Sequence, residues 1–181
     1  MRELKHHEKK LLKKTDFYEW KNEKNLHQVG IIRKYRLKDR EDYNRYNKIC
    51  GLITKLVSLL KVLKHDDKFR VQITHQLLDK LYDIGLINTK KSLELCEKIA
   101  VSCFCRRRLP VVLTTLKYTE NLKESTSLIE QGHITIGTET VNDPNMLVTR
   151  RMEDNLGWSE TSKIKRKVLQ YHNKLDDFDL L

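Results

Sequence analysis

The sequence predicts an α+β chain, in which a mostly helical N-terminal arm precedes a compact module of two helices and a small β-sheet. From about residue 43 to residue 101, apolar side chains recur at helical spacings, which is typical of amphipathic helices, and the residues before them look helical but strongly charged. From about residue 106 the pattern changes to short helical stretches followed by alternating polar and apolar residues, which indicates half-buried strands. The chain has only two prolines and six glycines, so long linkers rich in these residues are excluded.

The overall charge indicates a partner of opposite charge. At 181 residues the chain is long enough for one core, or for a small module with a helical arm. Its net charge is +11 and its charged fraction is 34%, which is high for a globular domain and indicates solvated helices. A basic chain of this kind attracts polyanions, of which RNA, DNA and acidic membrane surfaces are the usual ones.

The positive charge lies mainly in the N-terminal arm. Residues 1–48 hold 15 Lys and Arg against 8 Asp and Glu, whereas residues 102–160 hold 7 against 8. Because the arm is charged and sparsely apolar, we expect it to dock on RNA or protein; a solvated helix is the alternative. Its apolar anchors are Leu11, Leu12, Phe17, Trp20 and Leu26.

Helical periodicity is clearest between residues 43 and 64. The apolar residues there predict one buried helix face, and the Asp66-Asp67 pair ends the helix. A coiled coil is the alternative, but the pattern covers too few heptads. The predicted face consists of Tyr46, Ile49, Ile53, Leu56, Val57, Leu60 and Leu63.

Two more helices are predicted before the module. Residues 72–84 place apolar side chains on one face, and Gly85 is a natural C-terminal stop for that helix. A further helix is predicted to begin at residues 89–92 and to carry apolar side chains as far as Val101.

The predicted module begins with two helices. Pro110 suits the first turn of the first helix, whose apolar side includes Val112 and Leu113. Asn121 with Glu124 three residues later forms a capping-box pattern, which predicts the start of a second helix.

A small sheet is predicted to follow these helices. The second helix runs through Ile129 and ends at Gly132. Residues 133–136 alternate as a half-buried strand does, and residues 140–141 resume extended structure after a turn. Residues 146–148 predict another strand, after a turn at Asp143-Pro144.

No common catalytic or metal-binding pattern is visible in the sequence. A Gly-rich phosphate loop, an HExxH motif and a nucleophile elbow are all missing, so we expect no enzyme. Cys96, Cys103 and Cys105 lack the spacing of a zinc knuckle, and we interpret them as small buried hydrophobes, so no metal or cofactor is expected. With no apolar leader and no membrane-spanning stretch, the cysteines are expected to be reduced thiols in the cytosol or nucleus.

The second half of the chain resembles the S4-like RNA-binding module, also called alpha-L. The resemblance rests on Arg-Arg-Leu at residues 107–109, the two helices, Leu-Ile-Glu-Gln-Gly-His-Ile-Thr-Ile at 128–136 and Val-Asn-Asp-Pro at 141–144. Related modules occur in a small-subunit ribosomal protein, some pseudouridine synthases and tyrosyl-tRNA synthetases. The resemblance implies the α+β module predicted above and a role in binding structured RNA.

The remaining chain is similar to the branch of the S4 family found in the U3 small nucleolar ribonucleoprotein. Residues 77–86 and 92–96 resemble the helical arm of the S4-family ribosomal protein. The similarity to the U3 branch is carried by residues 9–14 with Asp16, Phe17 and Trp20, by residues 36–46 and 163–169, and by the acidic ending at 176–179. It implies a nucleolar role in early 18S ribosomal RNA processing within the small-subunit processome. It also implies U3 RNA, pre-ribosomal RNA and an M-phase phosphoprotein scaffold as partners, with no membrane and no small-molecule substrate.

The predicted organisation has four parts. Residues 1–48 form the basic helical arm, and residues 49–105 form a helical region packing on the module. The S4-like module covers residues 106–158, and residues 159–181 form a C-terminal extension.

One departure from the family pattern affects the expected RNA contacts. Many S4-like modules carry a Ser-Arg-x-x-Ala-Arg pattern early in the second helix, whereas here Leu122 and Thr126 replace the two arginines. We therefore expect the module to use an arginine cluster, nearby lysines and the second helix N-terminus for phosphates. We expect one or more of the arginines to be paired instead, and His133 to contact RNA or face solvent. The candidate RNA-binding residues are Arg106, Arg107, Arg108, Lys117, Asn121, Lys123, Gln131, His133 and Thr135.

Three functions remain open from the sequence. The first is a ribosome-assembly factor that binds U3 RNA and pre-ribosomal RNA and helps them to pair. The second is a small-subunit ribosomal protein of the S4 family. The third is an interaction protein whose helical arm docks on a scaffold and whose RNA module is weak.

Overall fold

The computed structural model describes residues 2–14 and 23–174, with side chains described from residue 26 in the second stretch. These residues form two compact units, one ending at Arg107 and one beginning at Arg108. The first unit is helical and the second combines helices with a small sheet, which confirms the predicted α+β class. Within the described part of the chain, no helix has both the length and the apolar character needed to cross a membrane.

The first unit is arranged around one long helix, α3. Five other helices contribute to this unit, and four of them, α1, α2, α5 and α6, contact α3. The ring of Tyr46 in α3 stacks on Phe104 in α6, with 5.6 Å between ring centroids. The six helices are α1 (His6–Lys14), α2 (Glu23–Lys34), α3 (Arg40–Val62), α4 (Lys68–Ile84), α5 (Glu94–Glu97) and α6 (Val101–Arg106).

The continuity of α3 corrects the predicted division of the N-terminal half. A boundary between residues 48 and 49 falls inside this helix, and buried residues on both sides of it belong to the same helix face. The residues that face the core are Tyr43, Tyr46, Cys50, Ile53, Val57 and Leu60.

The apolar residues of α3 also divide between two faces, whereas the sequence predicted one. Ile49 and Leu56 belong to the predicted buried face, but both are exposed. The sequence placed all of these residues on one face because apolar residues at spacings of three and four cover nearly half of the helix circumference.

The ends of α4 are set by the residues that flank it. The carboxylate of Asp67 accepts a hydrogen bond from the backbone N–H of Phe69 at 3.0 Å, so the helix begins four residues before the predicted start at residue 72. Gly85 ends the helix in the left-handed conformation (φ 83°), as predicted.

The prediction of a single helix from residues 89–92 to Val101 is wrong. The chain forms the short helices α5 and α6 instead, with an extended residue, Ala100, before α6. Both short helices pack against α3, so tertiary contacts override the helical spacing of the sequence.

The second unit contains two packed helices and an antiparallel sheet. Helices α7 and α8 contact each other, and β1 lies in the centre of the sheet between β2 and β3. Its core consists of Leu109, Val112, Leu113, Ile129, Ile134, Val148 and Leu156. The elements are α7 (Leu109–Thr115), α8 (Leu122–Glu130), β1 (Ile134–Ile136), β2 (Glu139–Thr140), α9 (Arg150–Glu153), β3 (Leu156–Trp158) and α10 (Lys163–Tyr171).

The third strand of the sheet lies later in the chain than predicted. Residues 146–148 form only an isolated bridge, in which Leu147 pairs with Arg108, and the strand that pairs with β1 is Leu156–Trp158. Within this apolar run, Val148 is fully buried in the core. A short apolar run does not distinguish a buried strand from a buried loop.

Of the two start signals predicted for the module helices, one acts as expected and the other does not. Pro110 lies in the first turn of α7, as expected. Asn121 is the residue before α8, but its side chain makes no capping hydrogen bond, so the predicted capping box does not form. A buried contact joins the two helices instead, since the hydroxyl of Ser125 donates to the carbonyl of Pro110 at 3.1 Å.

Candidate nucleic-acid interface

The nine candidate RNA-binding residues are divided between the two units. Two belong to the first unit, one is buried, and the other six lie near opposite ends of α8. That helix has nine residues, so its ends are about 13 Å apart.

Arg106 is the last residue of α6 and is exposed to solvent. Its guanidinium forms a hydrogen bond with the hydroxyl of Tyr35, which raises the pKa of Arg106 above its ordinary value. A guanidinium that makes one hydrogen bond still has other N–H groups that can bind a phosphate. Arg106 therefore remains a candidate RNA contact, within the first unit.

Arg107 is held against the end of α4. A Cβ atom placed on Gly85 would lie 2.8 Å from Nε of Arg107, so the arginine side chain passes directly over this glycine. Arg107 is half-buried and has further partners. This packing makes a structural role the main one for Arg107.

Arg108 must be removed from the candidate contacts because its side chain is only 1% exposed. It is the residue before α7, and Nη2 of its guanidinium donates a hydrogen bond to Oδ1 of Asn145. The backbone of the next residue, Leu109, donates to the carbonyl of Met146 at 2.9 Å. Arg108 therefore holds the loop around residue 145 onto the start of α7.

Lys117, Asn121 and Lys123 lie around the first turn of α8, and all three are exposed. Lys117 ends the turn after α7 in the left-handed conformation (φ 62°), which is uncommon for residues other than glycine. The backbone N–H groups of the first helical turn lack partners within the helix and favour an anion. Two carboxylates, Glu120 and Glu124, line a surface depression together with Lys117 and weaken the positive potential there.

Gln131, His133 and Thr135 follow the end of α8. Gln131 is exposed, whereas His133 and Thr135 are half-buried. The hydroxyl of Thr135 donates to the carbonyl of Gly157 at 3.3 Å, across the β1–β3 pair. Nδ1 of His133 lies 2.9 Å from Oγ of Ser162, the residue that precedes α10. His133 and Thr135 thus have structural partners, and Gln131 is the most accessible of the three.

The sequence prediction missed α10 as part of the candidate interface. Ile164, Val168 and Leu169 are half-buried, while Lys163, Arg166 and Lys167 are exposed. The hydrogen bond between His133 and Ser162 places the start of this basic helix beside the residue that precedes β1. Its signal in the sequence is four cations in the five residues 163–167.

The cysteines lie in the first unit, and the prediction that they are small buried residues holds for most of them. All four are free thiols; Cys50, Cys96 and Cys105 are buried, and Cys103 is half-buried. Burial raises the pKa of Cys50 and of Cys96. Among the residues that the structure describes, no group of three or more His, Cys, Asp or Glu side chains is arranged to hold a metal ion.

The second unit therefore offers two cationic groups to a polyanion. One is the start of α8 with Lys117 and Lys123, and the other is the exposed face of α10 with Lys163 and Lys167. Lysine ammonium groups and helix N-terminal N–H groups bind phosphate oxygens, and an exposed amide such as Gln131 can hydrogen-bond a base or a sugar hydroxyl.

Both parts of the chain match known families. Residues 3–105 match the Ribosomal protein S4/S9 N-terminal domain, and residues 107–154 match the S4 domain. The division between the two matches agrees with the division between the two units.

Similar proteins cover nearly the whole chain. The U3 small nucleolar ribonucleoprotein protein IMP3 of Homo sapiens is 49% identical, over 99% of this chain and 98% of its own length. The protein of the same name from Saccharomyces cerevisiae is 47% identical, over 99% and 98%. A more distant relative is the small ribosomal subunit protein uS4 of Caldivirga maquilingensis, which is 26% identical over 86% of each chain.

These matches confirm the resemblance drawn from the sequence motifs. The identity to the U3 ribonucleoprotein proteins is far above that to the ribosomal proteins, and the S4 domain coincides with the helix–helix–sheet unit. The chain belongs to the S4 family of RNA-binding proteins, in the branch of the U3 small nucleolar ribonucleoprotein proteins.

Proposed function

We propose that this protein is an RNA-binding assembly factor of the U3 small nucleolar ribonucleoprotein, acting in the nucleolus in pre-18S ribosomal RNA processing. The observation that carries this proposal is the 49% identity, along nearly the full length of both chains, to a U3 small nucleolar ribonucleoprotein protein. The relatives reported above are named as ribonucleoprotein and ribosomal proteins, which supports a binding role rather than a catalytic one.

Two surfaces of the second unit are the proposed RNA contacts. Lys117 and Lys123, with the start of α8, would hold one phosphate group. Lys163 and Lys167 on α10 would hold a second stretch of backbone, with Gln131 beside it. Asn121, His133 and Thr135 stay in the proposal as residues that border these contacts, and Arg106 contributes from the first unit.

The proposed activity is to assist pairing between U3 RNA and pre-ribosomal RNA. Two RNA strands repel each other through their phosphates, and a chain with a net charge of +11 lowers that repulsion. The basic N-terminal arm supplies most of this charge, since residues 1–48 carry 15 Lys and Arg against 8 Asp and Glu. The arm therefore attracts RNA independently of the RNA sequence, and the module positions the RNA.

A protein partner is also part of the proposal. Leu11 and Leu12 in α1 are both about half exposed, so the arm presents apolar side chains beside its lysines. Leu26 in α2, another predicted anchor, is 77% exposed. The remaining two, Phe17 and Trp20, lie outside the described residues. We propose that the arm docks on the M-phase phosphoprotein scaffold of the small-subunit processome.

Duplex formation tests the proposed activity. Purified protein is mixed with labelled fragments of U3 RNA and pre-ribosomal RNA at low salt, and the rate of annealing is followed by fluorescence. We expect faster annealing with the wild-type chain and a smaller gain when Lys117, Lys123, Lys163 and Lys167 are changed to glutamine. Annealing that proceeds equally fast with and without protein would rule out this activity.

The alternative is a small-subunit ribosomal protein, which the similarity to uS4 favours. The two functions predict that the protein associates with different particles. An assembly factor co-sediments with precursor particles and leaves before the finished small subunit, whereas a ribosomal protein stays with finished subunits. Gradient sedimentation of a cell extract, followed by detection of the tagged chain, distinguishes them.

A further inference from the structure

Helix α3 carries an apolar stripe that faces away from its own core. The stripe consists of Ile49, Leu52, Leu56 and Leu59, which are 40%, 58%, 37% and 58% exposed. Single exposed apolar residues are ordinary, but four that follow one another along a helix form a continuous surface, which marks an interaction site. The stripe spans eleven residues, with about 15 Å of helix from the first to the last.

The spacing of the stripe is that of a helix-pairing seam. Successive members are three, four and three residues apart, so Ile49 and Leu56 take the first position of a heptad and Leu52 and Leu59 take the fourth. The buried face of α3 is formed by other residues, with Ile53 and Leu60 one position beyond the seam. A second helix laid along this seam would therefore leave the contacts of α3 with its own unit in place.

The charges beside the seam restrict what can occupy it. Lys48 and Lys55 are exposed, lie seven residues apart and each directly precede a first-position residue of the seam. Residues 43–62 contain four Lys and Arg and no Asp or Glu. Lys61 is already paired, since its Nζ lies 2.7 Å from a carboxylate oxygen of Glu97. The two seam lysines thus favour a partner with acidic residues at the matching edge.

The same charges disfavour a second copy of this chain. Antiparallel pairing of two α3 helices along this seam would bring lysines against lysines, and parallel pairing would bring them against Ile53 and Leu60. In neither orientation does a carboxylate between residues 43 and 62 offset the lysines. RNA is also a poor occupant, because the exposed centre of the stripe is aliphatic and offers no hydrogen-bonding group.

We propose that the α3 seam, formed by Ile49, Leu52, Leu56 and Leu59, docks an acidic amphipathic helix of a partner protein. The partner helix has leucine-like residues at seam spacing and Asp or Glu beside them, over at least about 14 residues, two heptads. This inference does not rest on the proposed RNA-binding role, because the seam lies in the first unit and uses none of the candidate RNA contacts.

Two designed peptides test the proposal with the full chain. Each is a 21-residue helix stabilised by a staple on its outer face, with leucine at the first and fourth heptad positions. One peptide has glutamate at the fifth and seventh positions, and the other has lysine there. Binding is measured by fluorescence anisotropy of the labelled peptide. We expect the glutamate peptide to bind about tenfold more tightly than the lysine peptide.

Three variants locate the binding on the seam. Leu52→Glu with Leu59→Glu places carboxylates in the seam, and we expect a loss of at least about tenfold in affinity for the glutamate peptide. Ser58→Glu adds a single carboxylate at an exposed position of α3 outside the seam, and we expect little change. Lys48→Glu with Lys55→Glu should reverse the preference between the two peptides. Because all of these side chains are exposed, circular dichroism should show an unchanged fold.

Several results would overturn the proposal. It fails if both peptides bind equally, if neither binds, or if the seam variant and Ser58→Glu behave alike. It also fails if the chain dimerises in analytical ultracentrifugation and Leu52→Glu with Leu59→Glu restores the monomer, since the occupant is then a second copy. If peptide binding appears only after Phe17→Ala and Trp20→Ala, residues 15–22 of this chain occupy the seam. Loss of RNA affinity in the seam variant, with peptide binding intact, would assign the surface to RNA.

Discussion

Ser162 holds two elements of the second unit together. Its Oγ lies 2.9 Å from Nδ1 of His133 and accepts a hydrogen bond from the backbone N–H of Ile164 at 3.2 Å. The same hydroxyl therefore caps α10 and ties that helix to the residue before β1. The backbone repeats the connection, since the N–H of Ser159 donates to the carbonyl of His133 at 2.9 Å.

Removing this hydroxyl should loosen the basic helix. Ser162→Ala removes both the cap and the contact with His133, and we expect about 1 kcal/mol of lost stability, concentrated in α10. Hydrogen exchange of the α10 amides should become faster than that of the α7 and α8 amides. RNA affinity should fall with it, because Lys163 and Lys167 lose their fixed positions.

Ser127→Ala is the matched control for this prediction. Ser127 is an exposed serine within α8, and its hydroxyl donates only to the carbonyl of Lys123 in the preceding turn. Equal exchange rates in α10 for wild type and Ser162→Ala would show that the hydroxyl does not hold the helix.

Arg108 should matter for folding rather than for RNA contact. Its side chain is buried and bonded to Asn145, so Arg108→Ala removes a packed stem and leaves a polar amide without its donor. We expect a loss of about 2–4 kcal/mol in the free energy of unfolding, measured by denaturation with urea. Arg151→Ala, at an exposed position in the same unit, should change it by less than about 0.5 kcal/mol. Unchanged stability with weakened RNA binding in Arg108→Ala would return this residue to the RNA interface.

Two glycines in the first unit should respond in opposite directions to alanine. Gly85 has a φ of 83°, and a Cβ there would lie 2.8 Å from Nε of Arg107, so Gly85→Ala should lower stability by about 1–2 kcal/mol. Gly51 lies in the middle of α3 with nothing near a new Cβ, so Gly51→Ala should raise stability by about 0.5–1 kcal/mol. Thermal unfolding of the two variants measures both effects, and a rise in stability in both would contradict this account of Gly85.

The cysteines should differ in their reactivity. Alkylation requires the thiolate, and burial both blocks access to Cys96 and raises its pKa. We expect iodoacetamide at pH 8 to modify the half-buried Cys103 well before Cys96, as measured by mass spectrometry of timed digests. In urea the four cysteines should react at similar rates. Faster modification of Cys96 in the folded chain would show that its environment is more open than the structure indicates.

Local signals predicted part of the fold correctly. Gly85 and Pro110 mark real helix ends because their backbone preferences act on single residues, whatever the surroundings. Residues 133–136 were recognisable as a strand because Ile134 and Ile136 both pack against the core, and the polar Thr135 lies between them in the alternating pattern. The third strand was missed because its pairing with β1 joins residues 20 to 24 positions apart, and the pattern of residues 146–148 was equally apolar.

The candidate site was predicted less well than the fold. Three consecutive arginines looked alike in the sequence, yet Arg106 is exposed, Arg107 covers a glycine and Arg108 is buried. The break between α6 and α7 decides which direction each side chain takes, and that break follows from packing rather than from composition. The basic run at residues 163–167 was visible, but only its helical form and its link to His133 place it in the second unit.

Salt dependence of RNA binding tests the central claim most directly. The affinity for a U3 RNA fragment is measured between 50 and 200 mM salt, a range over which phosphate contacts produce a large change. One variant changes Lys123, Lys163 and Lys167 to glutamine, and a control variant removes the same charge at Lys64, Lys80 and Lys98 of the first unit. We predict that the slope of log affinity against log salt falls by about two to three in the first variant and by less than about one in the control. Equal slopes in the two variants would contradict the assignment of the RNA contact to the second unit.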